Sequence, residues 1–100
     1  MKHEHDPVLM LDGLIKCRTC GKILPSMEEE ISIVTSRRRA EKILQEIAVA
    51  GSYQADKFEN GFVVYSKEDN NYREEVTAQK TEGTGYRVLK RFISKQTSED

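Results

Sequence analysis

Ser26-Met27-Glu28-Glu29-Glu30-Ile31-Ser32-Ile33-Val34-Thr35 runs directly into Ser36-Arg37-Arg38-Arg39-Ala40-Glu41-Lys42-Ile43-Leu44-Gln45-Glu46-Ile47-Ala48-Val49-Ala50-Gly51, and how this stretch divides sets the fold. Ser26 and Glu29 have the spacing of a capping box, and three glutamates suit a first helical turn, so one helix from Ser26 to Ala50 is conceivable. The helical wheel argues against it. At about 100° per residue, Met27, Ile31 and Val34 fall on one side, whereas Ala40, Ile43, Leu44 and Ile47 fall on nearly the opposite side. A straight helix cannot bury both stripes. The run Ile31 to Thr35 is dominated by β-branched residues, which favour a pleated strand, so a strand is expected there and a helix from Ser36. If so, Ala40, Ile43, Leu44, Ile47 and Ala48 form one apolar stripe, and Gly51 supplies the stop.

Beyond Gly51 comes a polar connection, then three apolar-rich runs at Phe62-Val63-Val64-Tyr65, Tyr72 to Lys80 and Tyr86 to Ser94. Asp69-Asn70-Asn71 and Glu82-Gly83-Thr84-Gly85 separate them as turns, which gives a three-stranded meander. Before Ser26, the apolar pairs Leu14-Ile15 and Ile23-Leu24 flank Cys17-Arg18-Thr19-Cys20-Gly21, as in a short hairpin closed by Pro25. The expected class is α+β: an N-terminal Cys-x-x-Cys knuckle hairpin, then β-α-β-β-β with one helix packed on a mostly antiparallel sheet. The expected organisation is a single domain over 1–100, with a metal-knuckle segment at 1–25, an α+β core at 26–95 and a disordered tail at 96–100.

With 100 residues, 37% of them hydrophobic, 33% charged and no tryptophan, the core is modest and any extra fastening matters. A formal net charge of −1 disfavours wholesale attraction to nucleic acid or an anionic membrane and leaves local patches as the route to charged partners. The start Met1-Lys2-His3-Glu4-His5-Asp6-Pro7 has charge where a signal peptide has an apolar stretch, and no apolar run approaches bilayer-spanning length. Two cysteines this close cannot staple a secreted scaffold, so a soluble, cytoplasmic protein with no membrane contact is expected.

The two-residue gap between Cys17 and Cys20 lets both sulfurs converge on one zinc ion, and Gly21 can adopt the positive φ that turns the chain back beneath them. Cys-Arg-Thr-Cys-Gly-Lys resembles half of a zinc ribbon, a likeness confined to about a tenth of the chain. No second Cys-x-x-Cys supplies the other half. Two ligand sets complete a tetrahedron. His3 and His5, the only histidines, project to one side of an extended segment and could join Cys17 and Cys20 within one chain. Alternatively, two cysteine turns meet across a homodimer. A thioredoxin-like redox pair is disfavoured because Gly21 and Pro25 oppose a helix after the cysteines. Structurally incidental reduced thiols are the remaining alternative.

Arg37, Arg38 and Arg39 would occupy the first helical turn, where the dipole and free N–H groups favour anions rather than cations. A bound phosphate or carboxylate would reverse that conflict, assisted by Thr35 and Ser36. The opposing expectation is a solvated charge run neutralised by Glu28, Glu29 and Glu30. In the last strand Arg87 and Arg91 alternate to one face and Lys90 to the other, which extends the basic surface. Tyr65, Tyr72 and Tyr86 are expected to pack across neighbouring strands rather than to form a stacking platform. The glutamates look solvent-facing, and no Ser-His-Asp set, Cys-His pair or glycine-rich phosphate loop is present, so no enzyme is expected. The functional expectation is a non-catalytic, zinc-stabilised binding module for an anionic partner, plausibly nucleic acid. Its alternative is a regulatory or inhibitory protein acting through protein–protein contact alone.

Overall fold

In a computed structural model that describes residues 6–10, 14–69 and 72–95, the chain turns from strand to helix at Ser36. The extended Ser36, at φ −119° and ψ 133°, accepts a hydrogen bond at its hydroxyl from Arg39 N at 3.3 Å, an N-cap that satisfies one orphan donor of the first turn. The strand before it, β4, spans Ser26–Val34, and the helix α1 spans Arg37–Ala50. The division between strand and helix is as expected, but the strand starts at Ser26 rather than Ile31. The glutamates belong to it because their cross-strand neighbours are cationic: Glu28 lies opposite Arg91 and Glu29 opposite Lys90. A bulge between Glu30 and Ser32 shifts the register by one. Met27 and Val34, of opposite parity in the sequence, thereby both pair with aromatics on one face, Phe92 and Tyr86.

The helix ends in a six-to-one Schellman arrangement, Tyr53 N donating to Ala48 O at 2.8 Å and Ser52 N to Val49 O at 3.3 Å. The left-handed residue is Ser52, at φ 60°, and not the expected Gly51. Gly51 is required for a different reason: a Cβ there would lie 2.4 Å from the Tyr53 ring.

The region read as a polar connection contains a further strand, β5, over Gln54–Glu59, hairpinned to β6 over Phe62–Glu68. Asn60 and Gly61 form the turn with φ of 55° and 85°, the left-handed pair that matches the twist of a two-residue hairpin. With β7 at Tyr72–Lys80 and β8 at Tyr86–Ser94, the main sheet has five strands in the order β4-β8-β7-β6-β5, antiparallel throughout. The arrangement is thus β-α-β-β-β-β, and α1 carries the chain from one edge of the sheet to the other.

A second, small antiparallel sheet precedes it, formed by β1 (Pro7–Leu9), β2 (Ile15–Cys17) and β3 (Ile23–Leu24) in that order. The expected hairpin at Leu14 to Leu24 is the pairing of β2 with β3, and β1 adds to its other side. Ser94 N donates to Pro25 O at 3.0 Å, which joins this sheet to the end of the main sheet remote from the start of α1.

Ala40, Leu44 and Ala48 are the buried helix positions, and the core they enter includes Phe62, Val76, Ala78 and Val88, flanked by half-buried Val34, Ile43, Ile47, Tyr53, Tyr65 and Tyr86. The apolar stripe thus faces the sheet as its spacing requires. Tyr86 packs edge-on to Phe62 and Tyr72 to Phe92, with centroids 5.9 and 5.8 Å apart, so both rings serve strand packing.

Candidate anion site and cysteine turn

The arginines of the first helical turn have unequal roles. Arg37 is tied down: Nη2 donates to Gly61 O, Nε meets Glu41 Oε2 at 3.2 Å, and the guanidinium lies 4.2 Å above the Phe62 ring. It clamps the start of α1 to the β5–β6 turn. Arg38 and Arg39 are exposed, and neither side chain makes a hydrogen bond or ion pair among the described residues. The first turn contains no acidic residue. Glu28 and Glu30 engage Arg87 and Arg91, so two of the three acids expected to neutralise the helix start are occupied elsewhere.

Arg87 and Arg91 therefore do not join the helix arginines. They lie on the sheet face opposite α1, in a chain of alternating charge that crosses the strands. Arg87 Nη2 meets Glu28 Oε1 at 3.1 Å, and Arg91 reaches Glu28 at 3.4 Å, Glu75 at 2.9 Å and Glu59 at 3.6 Å. Glu75 also bridges to Arg73 at 3.1 Å, and Arg73 continues to Glu68 at 2.5 Å and to Asp56. Burial pulls the Arg91 pKa down, but Glu59, Glu75 and Glu28 outweigh it and hold the guanidinium above its ordinary value. Hydrogen bonds from Lys95 and Arg73 hold the exposed Glu68 carboxyl below its ordinary range.

The expectation of solvent-facing glutamates fails at two positions, Glu74 and Glu75, which are both buried. Glu74 points to the helix side, where it accepts from Tyr53 OH at 2.5 Å and stands 3.9 Å from Lys90. Burial and then the bond to Glu74 push the Tyr53 hydroxyl well above its ordinary pKa, so it stays a donor. Every strand residue with alternating charge in this region has a partner assignment that depends on register. Sequence spacing alone does not reveal it.

Cys17 is buried at the end of β2 and Cys20 is exposed. Gly21 between Cys20 and Lys22 has φ 76°; its N–H donates to Cys17 O at 2.8 Å, and Cys17 N donates to Lys22 O at 2.8 Å. The turn thus folds back on itself as expected. Cys17 Sγ lies 3.1 Å from Thr19 Oγ1. The described residues contain no group of three or more His, Cys, Asp or Glu side chains arranged to hold a metal ion. His3 and His5 lie outside the described residues, as does the tail at 96–100. Immediately after His5, Asp6 lies against the cysteine turn: its carbonyl accepts from Arg18 N at 2.8 Å, and its carboxylate stands 3.5 Å from Arg18 Nε.

No helix among the described residues is long and apolar enough to cross a membrane. No family model, curated protein or solved structure matches this chain.

Proposed function

We propose that this chain is a non-catalytic binding module that takes an anionic partner, a nucleic acid, at the start of α1, with a zinc-held cysteine turn fastening its N-terminal sheet. The observation that carries the first part is the pair Arg38 and Arg39, exposed and without an ion pair among the described residues, in a first turn with no acid. Helix-end N–H groups and two guanidiniums can act together on one phosphate, and the net charge of −1 confines the contact to that patch. Arg37 serves as a positioning residue through Gly61 and Phe62, and Arg87 and Arg91 serve the sheet.

The test is retention on immobilised single- and double-stranded nucleic acid as a function of salt. Wild type is expected to bind at low salt, and R38A/R39A is expected to bind at least about tenfold more weakly, with a salt slope flatter by about 1–2. Unaltered retention of the double variant, or no retention of wild type at low salt, would overturn this reading.

For zinc, the supporting observation is Asp6 seated on the cysteine turn, because the segment bearing His3 and His5 is joined to the chain there. His5 is bonded directly to Asp6, and on that ground we favour the intrachain set over the shared one. The cysteine turn and the helix start flank opposite ends of β4, about 30 Å of strand apart, so the metal would fasten the fold and not touch the partner. Metal analysis of purified protein is expected to give one zinc per chain, lost in H3A/H5A. Half a zinc per chain that survives the histidine changes would instead assign a shared site, and metal-free protein would remove zinc from the proposal.

A further inference from the structure

Among the described residues the edge strand β5 has one side of its backbone unpaired, and it carries Phe58, which with Val49 of α1 is one of the two most exposed large apolar side chains. Val49 is 81% exposed and Phe58 is 75% exposed. Phe58 lines a cleft with Leu44, Gln45, Phe62, Val63 and Tyr65, so the exposed ring borders the seam between α1 and the sheet. An apolar surface next to an open strand edge requires an occupant or a blocking device; β5 has no proline, and whether its lysine and its bulge block pairing or serve it depends on the register of the partner strand.

The sequence of β5 indicates that occupant. Read antiparallel to itself about a twofold axis between Asp56 and Lys57, Gln54-Ala55-Asp56-Lys57-Phe58-Glu59 sets Asp56 against Lys57, Ala55 against Phe58 and Gln54 against Glu59. Opposite charge meets opposite charge, and the small side chain leaves room for the large one. In a regular strand this register fails, because Ala55 and Phe58 would point to opposite faces. Here the bulge between Ala55 and Lys57 corrects the parity: Ala55 pairs with Tyr65 and Phe58 with Val63, so both lie on one face. Lys57 makes no ion pair among the described residues, whereas Asp56 is held by Arg73. The other sheet edge does not have this property. In β4 the same operation sets glutamates against isoleucines and serine, and β1 already lies against that strand.

We propose that the chain forms a symmetric dimer in which the β5 edges of two copies pair antiparallel in this register, joining the two five-stranded sheets into one, with Lys57 of each copy meeting Asp56 of the other and Phe58 covered across the seam. A twofold axis makes this interface isologous, so one self-complementary strand suffices. The interface is independent of the anion site, since Arg38 and Arg39 take no part in it. It also places the cysteine turns at the two far ends of the joined sheet, because they sit beyond β4, and so excludes a zinc shared between the two copies of this dimer.

Sedimentation equilibrium of the full chain is expected to show a concentration-dependent mass rising from 11.5 kDa toward twice that value. Lys57→Glu and Phe58→Ser, both at exposed positions, are each expected to weaken association at least about tenfold while leaving the circular dichroism spectrum unchanged. The register has its own readout: an equimolar mixture of Ala55→Cys and Phe58→Cys proteins is expected to form a 55–58 disulfide under mild oxidation, identified by peptide mapping. A wild-type mass of 11.5 kDa at all concentrations up to about 200 μM, far above the micromolar range of specific complexes, would overturn the proposal. So would a dimer indifferent to both variants, or a mixture that does not cross-link between positions 55 and 58.

Discussion

Glu75→Ala is expected to destabilise the protein by about 3 kcal/mol, enough to lower the melting temperature of a chain of this size by about 10 °C or more. The Glu75 side chain is only 4% exposed and neutralises two guanidiniums that are themselves largely covered, Arg91 at 18% and Arg73 at 26% exposure. Removing the shared carboxylate takes away the one buried counter-charge between the two guanidiniums, which keep only the more exposed carboxylates of Glu28 and Glu59 and of Glu68 and Asp56, and this lost compensation is the main cost. Urea titration with linear extrapolation would measure it. Glu75→Gln, which keeps hydrogen-bonding capacity without charge, should lose about half as much. A loss below about 1 kcal/mol for Glu75→Ala would place these groups in the class of solvated surface pairs.

Leu44→Ala is expected to cost a similar amount, about 3 kcal/mol, by a different mechanism. Leu44 is 2% exposed and lies between the middle of α1 and the sheet residues Phe62, Val76, Ala78 and Val88. The shortened side chain loses its transfer free energy and leaves a cavity that the surrounding strands, fixed by their ladders, cannot fill. Lys42→Ala, on the exposed side of the same helix, should change stability by less than about 0.5 kcal/mol. Equal losses at the two positions would mean that α1 does not pack through the stripe containing Leu44.

The helix and its first-turn arginines were legible in the sequence because they depend on local periodicity: the two apolar stripes of residues 26–50 could not share one helix. The early start of β4 was not, since Glu28-Glu29-Glu30 suits a helical turn until Lys90 and Arg91, some sixty positions later, lie opposite. Hydropathy missed β5 because an edge strand exposed on both faces shows no alternation, as in its exposed run from Gln54 to Phe58. Its turn was nonetheless written in the chain, for Asn60-Gly61 followed by an apolar run is a strong hairpin signal. The buried charges were hidden for the same reason as the glutamate strand. Arg87 and Arg91 look like a free basic stripe in one dimension, and only the register gives each of them a carboxylate.

The sheet order also governs the timing of folding. Ser26, at the start of the first long strand, pairs with Ile93 near the end of the chain, and β4 finds its main-sheet partner only in β8. As the chain leaves the ribosome, β5, β6 and β7 can zip as successive hairpins, while β4 must wait until nearly the whole chain has been synthesised. Closing that pairing late, after most of the loop entropy has been lost, makes it a long-range event and places the protein among the slower folders of its size. Through that interval the isoleucines of β4 stand exposed, and its three glutamates repel other nascent copies, so the acidic run that misleads a helical reading also protects the unpaired strand from aggregation.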